Sequence, residues 1–360
     1  MNDDPKTLLA RFEPKEQKVL QTEPKRQVCA ARFSPCGRFL CAAGFDGHVH
    51  RWEVGDEWKP LSPIAGHGGW VQALACDSAG ALYSVDSWGR LCCTPYADAA
   101  PAAKWTVADA HDGWIHAVAV SPDGSLVATC GDDRRVRVWS AADGAKRHEF
   151  VHDDQVLSIA FHPSGTALVS GDLKGIVKQW DLATGTSPRT FDAGVLWKLD
   201  RLQDTGGARC LQFSADGNLL LCAGTKPVNG GNVQGIPTVL VFDWATGERK
   251  QALDFGQAGD VYVTDLLFHP EGFVAVAISG NPGVGKLMFR RLSDETPFFT
   301  STKMANCHSV SLHPDGIRWA VAATNTGSNG NGRNLNAQGE YPGNWSPIHI
   351  LASPAPSKSQ

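Results

Sequence analysis

Three side chains near the middle of the sequence are of the types that form a hydrolytic catalytic triad. His111 offers a general base, Thr129 a hydroxyl nucleophile and Asp133 a carboxylate that would orient the imidazole. Trp139 follows, and its ring N–H can donate a further hydrogen bond. The same residue types can also form a purely structural set. The two interpretations are separated by the elements that carry these residues and by whether the pattern recurs.

Two other segments resemble chemical motifs but depart from them. The stretch GNPGVGK at 280–286 matches most of a phosphate-binding loop, but Leu287 replaces the Ser or Thr that binds Mg²⁺ and a strand-like run follows. Cys307 and His308 are adjacent, and neighbouring residues of a strand point to opposite faces, so they do not form a simple dyad. We therefore predict no catalytic residues, no cofactor and no enzymatic activity.

Composition narrows the class of protein. Charged residues make up 19% of the 360 and the net charge is -4, which argues against the basic footprint of a nucleic-acid-binding protein. No apolar run is long enough to span a bilayer, and no secretory signal is visible at the N-terminus. The 10 cysteines include no CxxC pair and lie mostly in apolar runs, as core thiols do. We expect a cytoplasmic protein without a bound metal.

One short phrase recurs along the chain. SPDG at 121–124 returns in variants such as SPCG, HPSG and HPDG, each ending in a turn glycine. Upstream of each glycine, apolar residues stand at both odd and even positions, which indicates a strand buried on both faces. The seven turn glycines lie 41 to 55 residues apart, at Gly37, Gly80, Gly124, Gly165, Gly217, Gly272 and Gly316.

Each repeat reads as four short strands joined by turns, which form one antiparallel sheet. A lone sheet of this size cannot bury its faces, but seven arranged radially in a ring can. We therefore predict an all-β fold, a seven-bladed β-propeller with four antiparallel strands per blade, over residues 16–351. The last repeat lacks a fourth strand, so we expect 17–22 to complete that blade by pairing with 346–351. Residues 1–14 and 352–360 are predicted to be flexible tails.

The repeat length and its phrasing resemble the WD-repeat family of β-propellers, in a degenerate, bacterial-type form. Trp180-Asp181 is a literal WD pair and Trp52-Glu53 is a near variant. The resemblance implies that His111, Thr129, Asp133 and Trp139 form a hydrogen-bonded chain inside the third blade rather than a triad. It also implies incomplete chains in the other units: Trp88 and Lys174 stand at the aspartate position of units two and four, and Thr94 stands at the tryptophan position of unit two.

The long insertions are predicted to lie at one end of the ring. They fall at last-to-first or second-to-third strand connections, which emerge at the same end of an antiparallel blade. Such loops on a rigid scaffold often carry function, although neutral drift is an alternative. The insertions are 191–207, 225–237, 279–286 and 324–344. We expect a binding face there, formed by Trp70, Trp88, Trp114, His116, Trp197, Arg209, Tyr262 and His308.

We therefore predict a monomeric, non-catalytic protein-interaction scaffold that binds an unidentified protein through the long loops of blades five to seven and the Trp70, Trp88 and Trp114 cluster. No nucleic-acid or membrane partner is expected. The alternative is an enzyme or small-ligand binder at the mouth of the central channel, where His116, Arg209 and His308 are expected to lie. A propeller fold by itself does not choose between the two.

Overall fold

A computed structural model describes residues 5–200, 202–229, 234–280, 283–325 and 343–354. Within these ranges the chain forms seven four-stranded antiparallel sheets, and these are the blades of a seven-bladed β-propeller, as the spacing of the turn glycines predicts. No helix in the described ranges has the length and apolar character needed to span a membrane.

The strands follow one another regularly, and each blade runs from the central channel outward. The chain begins with helix α1 (Pro5–Phe12) and strand β1 (Lys15–Leu20). Blade 1 contains β2 (Val28–Phe33), β3 (Phe39–Gly44), β4 (Val49–Glu53) and β5 (Lys59–Ile64), and blade 2 contains β6 (Val71–Cys76), β7 (Ala81–Asp86), β8 (Leu91–Pro95) and β9 (Trp105–Val107). Blade 3 contains β10 (Ile115–Val120), β11 (Leu126–Gly131), β12 (Arg135–Ser140) and β13 (Lys146–Val151). Blade 4 contains β14 (Val156–Phe161), β15 (Ala167–Asp172), β16 (Ile176–Asp181) and β17 (Thr190–Asp192).

A short insertion separates blades 4 and 5. It consists of a 3-10 turn (Gly194–Leu196) and a hairpin of β18 (Trp197–Asp200) and β19 (Gln203–Gly206). Blade 5 contains β20 (Cys210–Phe213), β21 (Leu219–Asn229), β22 (Gln234–Asp243) and β23 (Arg249–Asp254). Blade 6 contains β24 (Tyr262–Phe268), β25 (Phe273–Ser279), β26 (Gly285–Arg291) and β27 (Phe299–Ser301). Blade 7 contains β28 (Ala305–Leu312), β29 (Arg318–Thr324), β30 (Ile348–Ala352) and β1.

The core lies between neighbouring blades, which explains the apolar residues at both odd and even strand positions. All six residues of β3 are buried, because its two faces pack against blades 7 and 2. Between blades 6 and 7, Trp319 packs on Phe289 with ring centroids 4.6 Å apart. A large aromatic side chain in such a contact stabilises by about 2–3 kcal/mol relative to exposure.

The N-terminal strand closes the ring, as predicted. β1 is the outer strand of blade 7 and pairs with β30, with Glu16 opposite Leu351 and Leu20 opposite Ile348. The pairing occupies 15–20 and 348–352, close to the predicted 17–22 and 346–351. Closure of this kind leaves no unpaired edge between the first and last blades.

The segment before β1 differs from the predicted flexible tail. Residues 5–12 form α1, and Phe12 is buried against His269 and Phe273 with ring centroids 5.3 and 5.1 Å away. The hydroxyl of Ser353 donates to the Phe12 carbonyl at 3.1 Å. One aromatic side chain therefore anchors the helix over blades 6 and 7. Residues 1–4 and 355–360 lie outside the described residues.

We call the end of the propeller that carries the last-to-first and second-to-third connections the loop end. The insertion with β18 and β19 emerges there, and β21 and β22 continue their ladder beyond the blade to the pair Asn229 and Gln234. The connection between β25 and β26 also lies at this end. Part of 279–286 and most of 324–344 lie outside the described residues.

Candidate functional site

The four residues that resemble a triad are joined inside blade 3. His111 Nδ1 lies 2.8 Å from Asp133 Oδ1, and His111 Nε2 lies 2.8 Å from Thr129 Oγ1. Trp139 Nε1 donates to the same hydroxyl at 2.9 Å. These hydrogen bonds connect the loop before β10, the middle of β11, the turn after β11, and β12.

This arrangement leaves no room for a substrate. The His111 side chain is fully buried and Thr129 is buried, while Thr129 Oγ1 already contacts both His111 and Trp139. A nucleophile must be open to the atom it attacks. The set therefore acts as a structural brace, in which each bond contributes about 0.5–1.5 kcal/mol.

Blade 4 contains the same brace, with Trp180 Nε1 donating to Ser170 Oγ at 2.7 Å, and blade 2 contains its histidine, hydroxyl and carboxylate members. The carboxylates are present, contrary to the sequence prediction, whereas blade 2 has Thr94 at the tryptophan position and is incomplete there, as predicted. In blade 2, His67 Nδ1 lies 3.0 Å from Asp86 Oδ2 and His67 Nε2 lies 2.7 Å from Ser84 Oγ. In blade 4, His152 contacts Asp172 and Ser170 at 3.1 and 2.7 Å. For the carboxylate, the prediction considered only the turn position, which holds Asp133 in blade 3, Trp88 in blade 2 and Lys174 in blade 4.

The carboxylate reaches the histidine from two different positions. Asp133 lies in the turn after β11, whereas Asp86 is the last residue of β7, two residues after Ser84. Asp172 holds the corresponding place in β15. The signal in the sequence is a hydroxyl residue followed two positions later by aspartate, as in SVD and SGD.

The braces of blades 2 and 3 carry different charges. Burial lowers the pKa of His111, and Arg137 Nη1 neutralises the Asp133 carboxylate at 2.6 Å. In blade 2 burial also acts against the charged form, but interactions with Asp86 and with Cys92 raise the pKa of His67 to about 9. The two histidines differ in charge because the third strands of their blades differ at one equivalent position. Arg137 lies opposite Thr129 in blade 3, whereas Cys92 lies opposite Ser84 in blade 2.

Aromatic rings form a surface at the loop end of blades 1 to 3. Phe45 stacks on Trp70 with centroids 4.9 Å apart and an interplanar angle of 15°. Trp70 meets Trp114 edge to face at 5.7 Å. These residues and Trp88 line an open pocket of about 410 Å³. We call Phe45, Trp70, Trp88 and Trp114 the aromatic surface.

Trp88 is the most exposed of these rings, at 71%. Its ring lies over the backbone of Gly68 and Gly69, since a Cβ on Gly68 would stand 2.9 Å from the ring. The turn beneath it is fixed by Asp86 Oδ1, which accepts the backbone N–H groups of Trp88 and Arg90 at 2.9 and 3.0 Å. The aromatic surface is therefore held by the brace of blade 2.

The other predicted site residues lie at the loop end or at the channel. Trp197 Nε1 donates to Asp204 Oδ1 at 2.8 Å across the hairpin of β18 and β19. The Arg209 guanidinium lies over the Tyr262 ring, 4.5 Å from its centroid. Neither contact reaches the aromatic surface, so the eight predicted residues divide into separate groups.

His116 and His308 line the central channel together with Arg209. His116 Nε2 lies 2.7 Å from Asp132 Oδ1, and the His116 ring is tilted against the Trp114 ring at 6.5 Å, which connects the channel to the aromatic surface. His308 Nε2 lies 2.9 Å from Thr324 Oγ1, and burial lowers the pKa of His308 to about 4. Cys307 is buried on the other side of the strand.

The described end of the motif-like stretch 280–286 belongs to a strand rather than to the helix that follows a phosphate-binding loop. Lys286 and Leu287 belong to β26, and Lys286 Nζ contacts the buried Asp260 at 2.7 Å. The lysine charge is therefore already neutralised. Among the described residues, no group of three or more His, Cys, Asp or Glu side chains is placed to hold a metal ion.

Comparison with known proteins identifies the repeat. A family profile described as "WD domain, G-beta repeat" matches residues 15–53, 104–140 and 144–181. The chain belongs to the WD-repeat family. Each match begins with the outer strand of one blade and ends with the third strand of the next. In this WD-repeat protein, one sequence repeat therefore contributes strands to two neighbouring blades.

Relatives share part of this WD-repeat chain. Periodic tryptophan protein 2 of Arabidopsis thaliana is 26% identical over 224 residues, 57% of this chain and 24% of that protein. Telomerase protein component 1 of Rattus norvegicus is 30% identical over 213 residues, 59% of this chain and 7% of that protein. Small ribosomal subunit protein RACK1 of Brassica napus is 31% identical over 127 residues, 33% of this chain and 38% of that protein. The chain thus covers well under half the length of these relatives.

Proposed function

We propose that this WD-repeat protein is a non-catalytic scaffold that binds a protein partner through its loop end. WD-repeat proteins typically serve as protein-interaction scaffolds. In this chain, the His111 and Asp133 set that resembles catalytic machinery is sealed inside a blade. We also propose that the protein acts as a monomer in the cytoplasm, as the sequence predicts.

The distribution of exposed apolar side chains carries the proposal. Among the described residues, the large apolar side chains exposed to solvent all belong to the loop end or to strand ends that reach it. Large apolar side chains that stay exposed at one end of a protein support a protein-binding role for that end. They are Val19, Trp70, Trp88, Trp114, Val151, Ile176, Val195, Leu199, Leu202 and Val228.

The aromatic surface is the part of this end best suited to dominate affinity. Trp70 and Trp114 are 46% and 40% exposed, so each has both a buried base and a free face. Tryptophans held in this way are enriched among binding hot spots, where truncation costs 2 kcal/mol or more. The brace beneath Trp88 lowers the entropy that a partner would otherwise have to remove.

The hairpin of β18 and β19 supplies a second apolar element. Leu202 at its tip is 98% exposed and has a positive φ of 64°. A leucine in this conformation carries a strain of about 1–2 kcal/mol. Exposure and strain in one side chain support a role in contact with a partner. Lys198 Nζ donates to the Val228 carbonyl at 3.3 Å and holds the hairpin against β21.

Quantitative affinity capture tests this function. Wild-type protein is compared with Trp70→Ala/Trp114→Ala, and with the control Arg38→Ala/Glu295→Ala at the opposite end, where both residues are exposed. Partners whose recovery falls at least tenfold with the tryptophan variant and is unchanged with the control support the proposal. A partner set that both variants retain equally would contradict it.

A further inference from the structure

One irregularity recurs in the inner strands of the propeller. In β2, β6, β10, β14 and β24 the register skips a single residue, which leaves that residue outside the ladder. A bulge of this kind re-aims a side chain. The skipped residues, with Arg209 before β20 and His308 in β28, form a ring around the channel: Cys29, Gln72, His116, Leu157, Arg209, Thr264 and His308. We call them the channel ring.

The channel ring carries hydrogen-bond donors and no carboxylate. The ring residues line a cavity of about 250 Å³, whose other charged side chains are Arg32 and Asp265. Those two pair with each other at 2.8 Å, and Asp265 also accepts the backbone N–H of Val310 at 2.9 Å. Among the side chains that line the cavity, two arginines stand against one aspartate, which leaves the charge of Arg209 without a lining counter-charge. Asp132, which contacts His116 at 2.7 Å, does not line the cavity.

Arg209 forms no ion pair with a carboxylate of the described residues. Its guanidinium lies over Tyr262, and no carboxylate in the described part of the chain pairs with it. Packing on an aromatic ring fixes the guanidinium plane while leaving its N–H donors free. A fixed, unpaired guanidinium is the group that recognises carboxylates and phosphates.

A second donor of the ring lacks a partner. Gln72 Nε2 is buried and makes no hydrogen bond with any described residue. Buried amide groups without partners are rare in proteins, and each calls for an explanation such as a water or ligand. His116 and His308 each use Nε2 on a neighbour, and their Nδ1 atoms have no hydrogen-bond partner among the described residues.

We propose that the channel ring binds the oxyanion group of a small molecule, a carboxylate or a phosphate, with Arg209 as its counter-charge and Gln72 as a donor. The size of the cavity suits a small metabolite anion rather than a peptide. This site does not depend on the proposed protein partner. It corresponds to the alternative of a small-ligand binder at the channel, without any catalytic step.

Isothermal titration with sodium phosphate and with sodium malonate tests the proposal, against sodium chloride at equal ionic strength. The wild type is expected to show saturable binding and a raised melting temperature with at least one anion. Phosphate preference would indicate a phosphorylated ligand, and malonate preference a carboxylate. No saturable binding of either anion would overturn the proposal.

Two variants and a matched control locate the site. Arg209→Gln is expected to weaken binding at least tenfold, whereas Arg38→Gln is expected to bind like the wild type. Arg38 is also an exposed arginine over an aromatic ring, 5.5 Å from the Phe39 centroid. Gln72→Glu, nearly equal in shape, is expected to abolish binding by placing a carboxylate in the ring. Wild-type affinity in Arg209→Gln or Gln72→Glu would overturn the proposal.

Discussion

Asp86 contacts His67 and the turn of Trp88 with its two oxygens. Oδ2 lies 3.0 Å from His67 Nδ1, and Oδ1 accepts the Trp88 backbone N–H at 2.9 Å. One buried carboxylate thereby connects the brace inside blade 2 to the aromatic surface. Stability and the proposed binding function consequently depend on the same side chain.

Removing that carboxylate is expected to destabilise the protein strongly. Asp86→Ala removes the buried partner of His67 and uncaps the turn of Trp88, which should lower the free energy of unfolding by about 3–5 kcal/mol. Asp153→Ala is the control, because the Asp153 side chain is 98% exposed and should change stability by about 0.5 kcal/mol or less. Urea denaturation measures both, and equal midpoints would contradict a brace in blade 2.

The charge of His67 predicts a pH dependence on the alkaline side of neutrality. Its pKa of about 9 in the folded state exceeds the ordinary value of 6.5, so its contribution is fully present below pH 6.5 and is lost as pH rises through 9. The stability difference between wild type and His67→Gln should therefore shrink by about 2 kcal/mol from pH 6 to pH 8.5.

His111 provides the contrast, because burial lowers its pKa. Its contribution is present above pH 6.5 and declines only as the solution becomes more acid. The free energies of unfolding of the wild type and of His111→Gln, measured by urea denaturation, should accordingly differ by a constant amount from pH 7 to pH 8.5. If the stability difference for His111→Gln shrank with rising pH as the one for His67→Gln should, His111 rather than Arg137 would carry the positive charge beside Asp133.

The N-terminal segment is expected to act in two separable steps. Phe12→Ala removes a buried ring and should cost about 3 kcal/mol without exposing a strand edge. Deleting 1–22 also removes β1 and leaves β30 unpaired on one side, so the protein should both melt lower and aggregate. Melting curves and light scattering distinguish the two. A soluble deletion variant with unchanged melting would refute the closure.

A substitution at Gly68 is expected to displace the Trp88 ring without disrupting the fold. A Cβ at this position would meet only the Trp88 ring, at 2.9–3.0 Å, and that ring is mostly in solvent. Gly68→Ala should shift the emission of Trp88 and weaken partner binding while changing stability by less than about 1 kcal/mol. Unaltered partner affinity would remove Trp88 from the binding surface.

The fold could be predicted because it depends on spacing. Seven turn glycines and inner strands that are apolar on both faces leave few arrangements other than a closed ring, and the ring closure by β1 followed from a missing strand. The carboxylates of the braces in blades 2 and 4 were missed because Asp86 and Asp172 contact their histidines from a strand end rather than from the turn. Helix α1 was missed because a single side chain, Phe12, anchors it.

The site was only partly accessible from the sequence. The positions of Trp70, Trp88 and Trp114 relative to the turn glycines placed them at one end, but their contacts with Phe45 depend on how neighbouring blades are rotated. Each channel-ring residue stands eight positions before its turn glycine, so spacing selects the set, but the bulges that turn several of these side chains toward the channel are not visible in the sequence. The sequence therefore indicated which end to inspect but not which side chains meet there.

Hydrogen exchange on the complex with a captured partner tests the central proposal most directly. Amides of 66–70, 86–90 and 112–115 at the loop end should gain protection when the partner binds, and those of 34–38 and 121–125 at the opposite end should not. Protection confined to the opposite end, or absent from the aromatic surface, would contradict binding through the loop end.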